Sequence, residues 1–214
     1  MLHEPPGLWR WLWLTDAGLA LRIAFGVGVF AALAIWDLAR KGRQATRWKE
    51  YLFLFTATAV VMLYGLANDM VTVTITTEYF LEHEGLPLDT PHVRPIAAVV
   101  ALKATWTPGL IVGVILLLAN NPSKKRPQLP YRRMYPKLLY PFLCAGALAF
   151  LLGAAAWCGW ADHWLGIIDV SGTRPLDVVF YAHTGAYAGG FLGALGAVLA
   201  VLWQRRQVSR LLGK

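Results

Sequence analysis

Long apolar runs separated by short polar connections make up the chain. A hydrocarbon core about 30 Å thick needs roughly 20 apolar residues of helix. Five stretches meet or approach that length, at about 18–38, 51–67, 96–119, 138–160 and 178–203. Arg22 interrupts the first near one end; the second is short but uncharged; the third contains Lys103, Pro108 and Gly109. The pattern predicts an all-α integral membrane protein, a bundle of five transmembrane helices. Its connections are an N-terminal segment 1–17, outer loops 68–95 and 161–177, and a basic tail 204–214. The first two stretches are the shorter pair, which leaves a tilted or re-entrant arrangement open there.

One segment departs from the helical period. In Met70–Phe80, Val71, Val73 and Ile75 alternate with Thr72, Thr74 and Thr76. Period two with β-branched residues predicts a strand. A strand at a membrane surface needs a partner for its backbone groups, and Gly166–Val170 in the second outer loop is the expected one. The prediction is therefore a small extracytoplasmic β-element beside the helices. The alternative is that the helix runs on, stacking Val71 on Ile75 and Glu78 on Glu82.

Composition supports the membrane reading. Hydrophobic residues make up 57% of the 214 and charged residues only 15%, against about 25% charged in soluble domains. Disorder and a disulfide scaffold are excluded on the same grounds. The net charge of +8 raises nucleic acid as a partner until the charges are placed. Fifteen of the twenty basic residues lie in the connections 40–49 and 119–137 and in the tail after Trp203. The positive-inside rule assigns these to the cytoplasm, so the N-terminus is expected outside and the C-terminus inside a bacterial inner membrane. The charge then describes orientation and attraction to anionic headgroups, not nucleic acid. The segment MLHEPPG has no basic n-region, so the first span is expected to stay as an anchor. Most of the ten tryptophans fall near span ends, as an aromatic belt requires, whereas Trp106 falls well inside a span.

Ten of the twelve acids and all five histidines fall on the other, outer side. Carboxylate and imidazole together are a ligand set for divalent transition metals. They are equally what polar loops use where Lys and Arg are avoided. Glu82-His83-Glu84 lacks the spacing of a helical metal site, and no H-E-x-x-H or C-x-x-C occurs. Cys144 and Cys158 share one span and cannot pair within it. In the fifth span His183 lies inside the apolar stretch with Tyr187 one turn below. An ionisable group there is a functional candidate by default. Lys103 falls at a similar depth and is expected to snorkel or to pair with Asp69 or Glu78. Gly185, Gly189 and Gly193 repeat every fourth residue, a ridge that lets another helix approach closely. It is the expected contact for a partner membrane protein or a second copy of the chain.

Asp69-x-Val71-Thr72, five residues, then Glu78-Tyr79-Phe80 resembles a segment of a family of uncharacterised bacterial inner-membrane proteins. There an HDQVT-type start leads to EYF and a nearby histidine. Ala182-His183-x-x-x-Tyr187-x-x-Gly190-Phe191-x-Gly193 is similar to that family's last span, and Trp106 to its tryptophan in the middle one. The resemblance covers roughly residues 60–203. Here Met70 stands for the glutamine, Asn68 for the leading histidine, and His83 is displaced by one position. The resemblance implies a shortlist of Asp69, Glu78, Trp106, His183 and Tyr187, and no reaction.

No nucleophile with a base partner and no phosphate loop is visible. Haem between helices would want paired histidines inside the spans, and repeats or broken helices expected of a transporter are missing. Two readings remain. In one, Asp69, Glu78 and His183 converge outside the membrane on a metal ion or small ligand, with Tyr187, Trp106, Lys103 and, more weakly, His83 around it. In the other, the chain is a non-catalytic structural or accessory subunit.

Overall fold

A computed structural model describes residues 16–123, 126–160 and 173–212. The chain divides into two compact units, Met1–Leu52 and Phe53–Lys214, with the division inside a helix.

The first unit holds α1 (Asp16–Lys41), a 3-10 turn (Gly42–Gln44) and the start of α2 (Arg47–Thr72). Asp37 fixes the turn between them. Its Oδ2 accepts the backbone N–H of Thr46 at 3.1 Å and of Arg47 at 3.0 Å, while Oδ1 meets Lys41 Nζ at 2.8 Å. A carboxylate from the preceding helix thus satisfies amides at the start of α2 and sits at its positive end. The Phe30 and Tyr51 rings pack 4.9 Å apart across the same turn.

The second unit continues α2 and adds a short α3 (Glu78–Glu84), α4 (Val93–Ala119), α5 (Leu139–Trp157) and α6 (Arg174–Leu211). A helical turn at Tyr131–Met134 and a 3-10 turn at Tyr135–Leu138 lead into α5. Including that lead-in, five helices among the described residues are long and apolar enough to cross a bilayer, so by length and composition the chain is a multi-pass membrane protein. The second span, expected to be short, is a helix of 26 residues. α6 has 38 residues, about 57 Å at 1.5 Å per residue, longer than a hydrocarbon core of about 30 Å.

Glycines set the helix spacing. A Cβ on Gly189 would clash with the Cys144 carbonyl oxygen and lie 2.6 Å from its carbon; one on Gly193 would lie 2.5 Å from Pro141 Cα. Gly185 meets Leu148 in the same way. The ridge expected to receive a partner or a second copy is therefore filled by the chain's own α5. On α4, Gly109 and Gly113 do the same toward Thr58 and Leu54 of α2, and α4 runs unbroken through Pro108.

No strand occurs among the described residues, which corrects the predicted β-element. α2 instead continues to Thr72 and closes in a tight turn, with Val73 N–H donating to Asp69 O at 2.9 Å and Ile75 N–H to Thr72 O at 3.0 Å. The threonines bond backwards: Thr72 Oγ1 donates to Asn68 O at 3.1 Å and Thr74 Oγ1 to Val71 O at 2.6 Å. Such local side-chain bonds compete with a ladder. Of the alternating residues only Val73 is a buried apolar anchor, packing with Phe80, Leu81 and Val93. The expected pairing strand, Gly166–Val170, lies outside the described residues.

At the opposite end, the connection after α4 is held from within. Asn120, wholly buried, donates from Nδ2 to Leu129 O at 3.0 Å and accepts Leu129 N–H at 2.8 Å. Arg205 of α6 adds four bonds to carbonyls of the same connection: Nε to Pro127 at 3.0 Å, Nη1 to Ala119 at 2.6 Å, and Nη2 to Asn121 at 2.6 Å and Arg126 at 2.9 Å. Asn120→Ala is expected to lower stability by about 2 kcal/mol, since it strands the Leu129 donor and acceptor. Thermal unfolding in detergent measures this, and a change under about 0.5 kcal/mol would refute the role given to Asn120.

Candidate functional site at the acidic end of the spans

α3 is too short to stand alone and is fixed by its buried face. Phe80 and Leu81 are fully enclosed against Val93, Ala97 and Val100 of α4. Gly85, at φ 65°, takes the left-handed conformation that ends the helix. This placement holds α3 across the last turn of α2 and the first part of α6, and so presents Tyr79 to His183.

The centre of the site is a buried pair. Asp69, in the last turn of α2, is 5% exposed, and His183 of α6 is 7% exposed. His183 Nε2 lies 3.6 Å from Asp69 Oδ1 and 3.3 Å from Thr72 Oγ1. The Asp69–His183 separation exceeds hydrogen-bond range. Asn68 Nδ2 donates to Asp69 Oδ1 at 3.2 Å. With the Thr72 hydroxyl hydrogen on the Asn68 carbonyl, its oxygen turns lone pairs toward the imidazole.

Aromatic rings close the pair over. The Tyr79 and His183 rings lie 4.5 Å apart, and Phe80 stands edge-on to His183 at 6.0 Å. Tyr79 also stacks nearly parallel to His83, centroids 6.4 Å apart. One phenol ring is thus placed between a buried and an exposed imidazole. Burial, with the Tyr187 phenol and the Asp69 carboxylate nearby, pushes the Tyr79 phenol up to about 12, so it stays a neutral donor throughout the physiological range.

The remaining shortlisted residues disperse. Among the described residues the ion pair of Lys103 is with Glu84, its Nζ 3.6 Å from Oε2, and none is seen with Asp69 or Glu78. Glu78 opens α3 with its backbone N–H on Thr76 Oγ1 at 3.2 Å, and its half-buried carboxylate makes no ion pair with His183 among the described residues. Trp106 is half-buried on α4. Tyr187 is 56% exposed, although its phenol comes near enough to Tyr79 to act on it. Among the described residues, no group of three or more His, Cys, Asp or Glu side chains gathers round one point.

Sequence reasoning left Asn68, Thr72 and Tyr79 off the list of site residues. Helical spacing was the available signal: Thr72 lies three residues after Asp69, and His83 four after Tyr79. A strand over Met70–Phe80 hides it, because in an extended chain Asp69 and Thr72 face opposite ways. No family model, no curated protein and no solved structure matches the chain, so the site stands on its own geometry.

Proposed function

We propose that the chain is a multi-pass protein of a bacterial inner membrane, N-terminus outside and C-terminus in the cytoplasm, that binds one divalent transition-metal ion at Asp69 and His183. The segregation of basic residues supports the orientation through the positive-inside rule. The separation of the pair carries the site reading. At 3.6 Å it is too long for a hydrogen bond and near the about 3.4 Å between two ligands of one tetrahedral ion with bonds of about 2.1 Å. Thr72 Oγ1 offers a further oxygen, and the open positions would take water or a small ligand. The Asn68 amide orients the carboxylate as outer donors orient metal ligands. Asp69 and His183 are also two of the residues implied by the family resemblance, and that membership is part of the proposal.

Metal analysis of the full chain purified in detergent tests this. The wild type is expected to hold about one equivalent per chain, lost in Asp69→Asn and in His183→Gln, with Asn68→Ala weakening affinity about 10- to 100-fold. Negligible metal in the wild type after growth and purification without chelator, and after reloading with zinc or manganese, would overturn the reading. It would leave the second one, a structural or accessory subunit. That reading is favoured by the missing third ligand among the described residues and predicts that the same variants change only stability.

A further inference from the structure

A gap opens between α2 and α6, next to the Asp69–His183 pair on the side of the basic end. On α6, Leu176, His183, Tyr187, Gly190, Ala194 and Val201 recur at helical spacing and share one face. Leu176, His183, Ala194 and Val201 are each no more than 7% exposed, whereas Tyr187 is 56% exposed. A Cβ on Gly190 would meet nothing within 4 Å. The facing stripe of α2 is Phe53, Ala57, Tyr64 and Asn68, of which Phe53 and Ala57 share a packed cluster with Ala194, Ala197 and Val201. Tyr64 lies between that cluster and Asp69. Counted from the Asp69–His183 contact, it is about 7.5 Å along α2, and Tyr187 and Gly190 are about 6 and 10 Å along α6. Both phenols come within electrostatic reach of Asp69. The Tyr64 hydroxyl is buried without a hydrogen-bond partner among the described residues. Its ring stands edge-on to Phe142 of α5, centroids 5.4 Å apart.

A buried donor left without a bond is costly inside a hydrocarbon layer, and it marks where an acceptor belongs. The gap is closed toward the acidic end by Tyr79 and Phe80 over His183, and toward the basic end by the Phe53 cluster. At Tyr187 it opens sideways, nine residues inside the apolar stretch that begins at Val178. An occupant therefore arrives from the bilayer. Its polar head is neutral. The stretches 51–67, 139–157 and 178–203 contain no Lys or Arg to hold an anion, Lys103 of α4 is with Glu84, and Asp69 repels negative charge. A cation offers no acceptor to a phenol hydrogen. Gly190, without a side chain, gives a flat wall beside the two phenol rings, which suits a planar ring. We infer that a membrane quinone occupies this gap, its ring against Gly190 and its carbonyl oxygens accepting hydrogen bonds from Tyr64 and Tyr187. Its apolar tail then runs over the exposed side chains of Phe191 and Leu195. A neutral glyceride shares the carbonyl chemistry but lacks the planar ring.

Native mass spectrometry of the full chain, delipidated in neutral detergent and titrated with decylubiquinone or dioctanoylglycerol, separates the outcomes. Prior treatment with chelator keeps the result independent of any metal at Asp69 and His183. One decylubiquinone per chain is expected, bound more tightly than dioctanoylglycerol. Tyr64→Phe and Tyr187→Phe should each weaken it about fivefold, the effect of one hydrogen bond, and Gly190→Leu should abolish it by filling the gap. The Tyr64 hydroxyl has no bond to lose among the described residues, so Tyr64→Phe remains informative if Gly190→Leu fails to fold. Absence of saturable decylubiquinone binding, wild-type affinity in either phenylalanine variant, or equal binding of dioctanoylglycerol would each overturn the inference.

Discussion

Arg205→Leu is expected to destabilise the chain by about 3 kcal/mol or more, the larger of the two strongest effects the structure predicts. Arg205 is 4% exposed and serves carbonyls of Ala119, Asn121, Arg126 and Pro127 with one guanidinium. Ala119 closes α4, and its carbonyl has no helical partner of its own. Removing the donor leaves partly buried acceptors without bonds, at about 1–3 kcal/mol for each one that water cannot reach. Lysine does not substitute. Its point charge on a flexible stem cannot reproduce a fork spread over four acceptors, so Arg205→Lys should recover only part of the loss. Thermal unfolding in detergent measures both, and a Leu variant within about 0.5 kcal/mol of wild type would refute the clamp.

The second large effect concerns two neighbouring glycines. Gly189→Ala places a methyl group against the Cys144 carbonyl of α5, where only backbone is present to yield. The helices must separate, and overpacking of this kind costs about 1–3 kcal/mol; with backbone as the obstacle the upper end is expected. Gly190→Ala meets nothing within 4 Å and should be neutral or stabilising by up to about 1 kcal/mol, the helix preference of alanine over glycine. The pair gives opposite results at adjacent positions of one helix. Similar losses in both would show that α5 does not lie on this ridge. Cross-linking or sedimentation supplies a second readout, because contact within the chain predicts that Gly189→Ala lowers stability without changing oligomeric state.

Membrane-crossing helices could be read from the residues alone because apolar length is a sum along the chain, and no tertiary contact alters it. Their ends were less legible. The alternation from Val71 to Thr76 fits a strand, but nothing in it records that Thr72 and Thr74 bond to carbonyls three and four residues behind them. Those bonds turn the chain and begin α3, and α3 brings Tyr79 to the site. The glycine ridge announced a close helix contact without saying whose helix would fill it. Arg205 counted as one more basic residue in a tail expected to set orientation, although it is among the most enclosed charged groups of the described residues.

The candidate site shows the same division. Asp69 and His183 stood out as polar groups near or within apolar spans, which needs only their neighbours in sequence. Their meeting did not, because Thr72 and His183 are 111 positions apart, and their approach depends on α2, α3 and α6 packing together. Lys103 turned to Glu84 for the same reason, since the position of α3 decides which carboxylate comes within its reach. By itself, then, the sequence determined which segments are apolar and which end of them is basic, properties additive along the chain. The tertiary structure alone decided that Asp69 faces His183, that α5 occupies the glycines of α6 and that Arg205 lies under the basic connection. Each of these is a contact between distant segments, set by how closely helices approach, and side-chain periodicity within one segment carries no information about it.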